Sequence, residues 1–304
     1  MQLSLFQRYR PPAPRYGGHE DQPVQRFWLP RAVAAVQANP RCFEGVGACL
    51  QWGMSAARLR SLLFWALAFK VIVPQGSPGC YVVTPWGQQL LGIAGLDPYL
   101  EDPASLWLLH WQLLQPPCYA QVWGWFFGTP QHPATEAGLL VSLKAWAEGR
   151  GPVAESRLRA DLKCLLKMYC PPPQSVEDAL LNLYGDVPLI RDDGAQFTRL
   201  TGPRAGLSTA VLLYCCLDYA HNQPAVKVTE CAYGAGSPGM VFGLSSSHLL
   251  EALGHATAHQ PGITLSSSID GGYQLRWAQS ATALKQQVWA SLASGAPWTQ
   301  REWY

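Results

Sequence analysis

A helix that is apolar on every side can be housed only inside a core, and Leu106, Trp107, Leu108, Leu109, Trp111, Leu113 and Leu114 make one. The segment before it reads as its entrance. Asp97 and Pro98 initiate a turn, Asp102 stands where an N-cap belongs, and Pro103 occupies the first helical position. The pattern predicts a buried helix over 103–115 that carries His110 inward. Thirteen Trp and 48% hydrophobic residues in 304 supply a core for two or three modules. Only 14% of residues are charged, so part of the apolar surface is expected to meet a partner, a second copy of the chain included.

The expected fold class is mainly α (α+β), in four parts. Residues 1–29, rich in Pro, Gly and Arg, form a basic arm. Residues 30–92 read as a winged helix-turn-helix: helices over 30–38, 44–51 and 55–69, Gly53 in the tight turn, Ser55 as N-cap. Strands 71–73 and 81–83 follow as a hairpin wing. Residues 93–185 form a helical domain, with helices over 103–115, 119–127, 135–148 and 153–169 between proline and glycine breaks. Residues 186–304 form a second winged-helix-like module, with helices over 208–220 and 245–259, strands over 263–268 and 273–277, and Gly234 to Gly239 as a flexible turn.

Charge is uneven along this plan. Residues 1–70 carry nine Lys and Arg against three acids, net +6, so the remainder is −4. Mostly arginine, this charge suits phosphate, and the candidate DNA contacts are Arg8, Arg10, Arg15, Arg26, Arg31, Ser55, Arg58, Arg60, Ser61 and Lys70. On the third helix Leu59, Leu62, Leu63 and Ala66 face the core, which turns Arg58 and Ser61 outward. A solvated basic surface is the plainer alternative.

Asp97, Glu101 and Asp102 are the candidate metal ligands and catalytic carboxylates, since such oxygens suit magnesium and phosphodiester chemistry. His110 could serve them as acid or base. The competing reading has Asp102 capping the helix, Glu101 paired with Arg60 and Asp97 in an Asx-turn. His248, His255 and His259 share a helix but lack the further ligands of a zinc site. Trp123 to Phe127 could stack a base but reads more simply as core. No phosphate-binding glycine loop occurs, so no nucleotide cofactor is indicated. Nine Cys without a Cys-x-x-Cys pair, no signal segment and no membrane span point to a reduced, cytoplasmic protein.

Several blocks resemble one bacterial family. His19-Glu20-Asp21, then Arg26-Phe27-Trp28-Leu29-Pro30-Arg31, is similar to its opening His-Glu-Thr-Phe and Trp-Leu-Lys-Lys pattern. Trp52 to Trp65, Gly95 to Trp111, Val176-Glu177-Asp178 and Gly236 to Phe242 resemble later blocks. On these residues the chain is identified as SspB-like, a domain of unknown function. The resemblance implies a role in bacterial DNA phosphorothioation and phage defence, beside a cysteine desulfurase, an ATPase and a reductase-like sulfur-transfer enzyme. Such proteins are expected to bind DNA or nick one strand; noncatalytic docking of those enzymes is the alternative. Pro30-Arg31 and Ser55-Ala56-Ala57 depart from the family's lysine-bearing pattern at two potential phosphate contacts.

Overall fold

The computed structural model describes residues 15–45, 47–130, 132–170, 181–185, 187–221, 223–268 and 271–299. These are mainly helical with small sheets, and they divide into two compact units. Met1–Glu101, Gln112–Trp125 and His132–Thr198 belong to the first; Asp102–Trp111, Phe126–Gln131 and Arg199–Tyr304 belong to the second. No helix among the described residues is long and apolar enough to cross a membrane.

The first unit opens with α1 (Trp28–Ala38), which buries Trp28, Leu29, Ala32, Val33 and Val36 along one stripe. α2 (Ala48–Trp52) begins four residues later than its composition predicts. It stops at Gly53, whose left-handed φ of 63° ends the helix as C-caps commonly do. The Ser55 side chain accepts the Arg58 backbone N–H and starts α3 (Ala56–Ala68). Strands β1 (Ile72–Pro74) and β2 (Tyr81–Val83) pair antiparallel, Val73 opposite Val82. Thr84 caps α4 (Pro85–Leu91), where Gly87 lies so close to β1 that a Cβ would stand 2.2 Å from the Val71 carbonyl oxygen.

α5 (Pro103–Leu114) and α6 (Gln121–Gly128) follow with nearly every residue buried, as their apolar composition requires. Trp123, Trp125, Phe126 and Phe127 are core residues, which removes base stacking from their roles. Thr135 caps α7 (Glu136–Glu148), whose Lys144 pairs with Glu155 at the start of α8 (Glu155–Tyr169), and Glu155 also pairs with Arg159 on the exposed face of α8. A short hairpin of β3 (Ile190–Asp192) and β4 (Phe197–Arg199) comes next.

In the second unit, Ser208 caps α9 (Thr209–Tyr219), a central helix. Strand β5 (Ala225–Lys227) leads to α10 (Val228–Tyr233), α11 (Pro238–Phe242) and α12 (Ser246–His259). β6 (Ile263–Ser267) and β7 (Tyr273–Trp277) complete an antiparallel sheet in the order β5-β7-β6, and α13 (Ala281–Ala293) follows. The two strands expected here are therefore joined by a third, β5, on the far side of β7. The supposed flexible turn at Gly236 ends at Ser237, whose hydroxyl caps α11.

Candidate nucleic-acid interface

Before α1 the chain runs along α3 as a pinned segment. His19 and Asp161 are both buried and meet at 2.7 Å, Nε2 to Oδ1. The Asp21 backbone N–H donates to His19 Nδ1, which leaves the ring proton on Nε2 to donate to the carboxylate. Asp161 also accepts the Gly17 N–H at 2.8 and 3.0 Å. Phe64, Trp65 and Trp123 enclose the imidazole. Gly17, Gly18, Glu20 and Asp21 all lie at positive φ, so the segment doubles back sharply around this anchor. From there the Gln22 carbonyl accepts Trp65 Nε1–H at 2.9 Å.

This pinning sets the outward face of α3. Arg60 Nε donates to Glu20 Oε1 at 2.7 Å while 60% of the arginine side chain stays exposed. The hydrogen bond from Arg60, with its charge, holds the Glu20 carboxyl below its usual range, and Arg60 is raised in turn. Arg58 Nη2 donates to Gln25 Oε1 at 2.9 Å. Arg31 donates to the Trp52 carbonyl at 2.6 Å with its guanidinium 4.9 Å from the indole centroid. Arg15 is exposed beside the Tyr119 ring. Arginines 15, 31, 58 and 60 therefore offer charge to solvent from ordered positions.

Others among the expected contacts are placed differently. Ser61 is fully buried, its hydroxyl donating to the Gln22 carbonyl at 3.5 Å, because it falls inside the stripe that packs α3. Lys70 directs its ammonium to the carbonyls of Gln112 and Gln115, at 2.5 and 2.6 Å, a cation at the C-terminal end of α5. Ser55 commits its oxygen to the helix cap. Arg26 is half-buried and bonds Leu181 through its backbone. Arg8 and Arg10 lie outside the described residues, as do Val176, Glu177 and Asp178. Arg41, which the sequence did not single out, donates to Glu44 and Ser77 and so ties the tip of the β1–β2 hairpin to the α1–α2 loop.

The acidic elbow is a capping device. Asp97 is only 7% exposed, and its Oδ1 accepts the Glu101 N–H at 3.0 Å across a turn that holds Leu100 at φ 57°. Asp102 Oδ1 accepts the Ala104 N–H at 2.8 Å. Glu101 is exposed, and the partner proposed for it, Arg60, is bound to Glu20 instead. Among the described residues no group of three or more His, Cys, Asp or Glu could hold a metal ion. One carboxylate oxygen each of Asp97 and Asp102 is thus engaged by a backbone N–H. Of the histidines, His248 completes the Ser245 capping box, and His259 bonds the His255 carbonyl and stacks on Trp298.

His110 is fully buried, with Nε2–H donating to the Val241 carbonyl at 3.3 Å and Phe127 edge-on at 4.6 Å. Burial, with help from the charge of Arg199, lowers its pKa to about 3. A ring so enclosed and uncharged at neutral pH has no route to a substrate, which removes the acid–base role.

These features define a mainly helical protein in which Arg15, Arg31, Arg58 and Arg60 stand exposed in the N-terminal part, with further exposed arginines, among them Arg150, Arg159 and Arg276, along the rest of the chain. Residues 16–291 match the family described as "Protein of unknown function (DUF4007)", and the chain belongs to that family. Two crystal structures of SspB resemble it, each with a TM-score of 0.84 over 92% of this chain and 88% of that one. One, a magnesium ion-bound form, is 27% identical and the other 28%. The SspB-like resemblance of the sequence thus extends to the fold. No curated protein matches the chain.

Proposed function

We propose that this chain is a DNA-binding component of a bacterial phosphorothioation system, with α1 to β2 acting as a winged helix-turn-helix and α3 offered to the major groove. The observation that carries the reading is the exposure of Arg58 and Arg60 on a helix capped at Ser55. Arg31 on α1, bonded to the carbonyl at the end of α2, and Arg15 near the arm add phosphate contacts. Likeness to SspB supplies the system. The proposal is for binding, because Asp97 and Asp102 are committed to backbone N–H groups. The test is retardation of supercoiled plasmid with magnesium present, comparing wild type with Arg58→Ala and Asp97→Ala. Wild type and Asp97→Ala should both shift the plasmid, and Arg58→Ala should shift it weakly; equal shifts by all three would sink the assignment of α3.

A second reading has an observation of its own. Leu50 on α2 is 87% exposed, in the helix that would rest on DNA backbone, and an apolar side chain there suits a protein surface. On that reading the module docks the cysteine desulfurase, the ATPase or the reductase-like enzyme. A coexpression pull-down that captures one of them, and loses it on Leu50→Asp, would favour docking.

A further inference from the structure

In the second unit the run Arg199-Leu200-Thr201-Gly202-Pro203-Arg204 brings two guanidinium groups within electrostatic reach of each other. Arg199 donates to three main-chain carbonyls: Phe127 at 3.2 Å, Val241 at 3.3 Å, and Met240. All three are neutral, so its charge is solvated but not cancelled. Burial and the charge of Arg204 lower its pKa to about 10, which leaves it cationic at neutral pH.

Arg204 is less well served. Its Nη1 donates to the neighbouring Pro203 carbonyl at 3.2 Å, while Nε and Nη2 are buried with no acceptor among the described residues. That Nε–Nη2 edge is the side of the fork that grips two oxygens of one oxyanion. Leaving such charged donors unmatched is unfavourable, and no carboxylate perturbs this group: burial alone lowers its pKa. The residue is half-buried, and among the described residues only the bond to Pro203 ties its head down, so that a rotation of the long stem would present the fork to solvent. Gly202 at φ 93° and Gly206 at φ 72° bracket it, and His248 lies against the same loop, with its Cε1 3.8 Å from where a Gly202 Cβ would stand.

We propose that Arg204, backed by Arg199, is an oxyanion site for a phosphate-class group. Two cations without an acid favour a doubly charged oxyanion over a carboxylate, and a planar fork favours paired oxygens. Free phosphate and the terminal phosphate of a DNA strand share that chemistry. The site rests on the second unit alone and does not depend on DNA binding by α3.

The test is thermal unfolding of the full chain titrated with inorganic phosphate, against sodium chloride at matched ionic strength, for wild type, Arg204→Gln and Arg204→Lys. Wild type should show a saturable rise in midpoint with phosphate. Arg204→Gln should weaken the apparent phosphate affinity by about tenfold or more. The same variant should unfold no earlier than wild type in chloride, because an unmatched buried charge has been removed. Arg204→Lys, which keeps charge but not the fork, should fall between. Competition by an oligonucleotide bearing a 5′-phosphate, and not by its unphosphorylated twin, would assign the site to a strand end; no competition by either would assign it to the free anion. A phosphate response equal to that of chloride, or one undiminished in Arg204→Gln, would overturn the proposal.

Discussion

Burial of His110 makes a prediction about acid stability. The folded-state pKa is about 3 against 6.5 in the unfolded chain, so the unfolded state binds the proton first as pH falls. The stability this neutral imidazole contributes is whole above about pH 6.5, and it drains away as pH falls toward the folded value of about 3. Each unit within that window costs about 1.4 kcal/mol, so moving from pH 7 to pH 4.5 should cost roughly 2.5 kcal/mol through this residue alone. His110→Leu removes the titration at similar volume. It does not orphan the Val241 carbonyl, which Arg199 Nη2 also bonds at 3.3 Å. The variant should lose about 1 kcal/mol at pH 7 and then fall less steeply than wild type. Urea unfolding followed by tryptophan fluorescence at both pH values measures the difference, with the shared carboxylate titrations cancelling. If wild type and variant lose the same stability between pH 7 and pH 4.5, His110 is not the enclosed, uncharged group described above.

Three further outcomes follow from particular contacts. Asp161→Ala leaves His19 Nε2–H and the Gly17 N–H without their acceptor in a buried site, and should cost about 3 kcal/mol in urea unfolding. Gly87→Ala would place a methyl group 2.2 Å from the Val71 carbonyl oxygen, so α4 must move off β1 and the thermal midpoint should drop by an amount worth about 2 kcal/mol or more. Glu20→Gln takes a competing carboxylate away from Arg60. An exposed, solvent-screened pair of this kind contributes little, so DNA affinity measured by fluorescence anisotropy should rise by no more than about fivefold. A fall in affinity would mean that Glu20 positions Arg60 rather than competing for it.

Much of the secondary structure was legible because its signals are local. Ser55, Thr135, Ser208 and Ser245 stand at helix starts with their hydroxyls on backbone N–H groups, and the apolar run at α5 could be nothing but core. The elements not foreseen carry weak local signals. β5 is three residues whose partner strand lies nearly fifty positions away, and α13 buries only Ala281, Leu284 and Val288 along thirteen residues. Side-chain destinations were legible less often. The sequence marks Ser61 and Lys70 as polar, but Ser61 is drawn inward by the arm segment and Lys70 by α5 carbonyls far along the chain. The elbow's acids resembled a metal set because residue type does not record that one oxygen of Asp97 and one of Asp102 already serve an N–H four and two residues ahead. Arg204 carried only a faint signal, an arginine between two glycines.

The salt dependence of DNA binding tests the central claim most directly. Four exposed guanidinium groups on backbone phosphates should give a plot of log K against log salt with a slope near −3.6, at about −0.9 per contact. The double variant Arg58→Ala, Arg60→Ala should reduce the steepness by about 2 and weaken binding across unrelated sequences alike. A slope unchanged in the double variant, or no salt-sensitive binding by wild type, would contradict the assignment of this face to DNA.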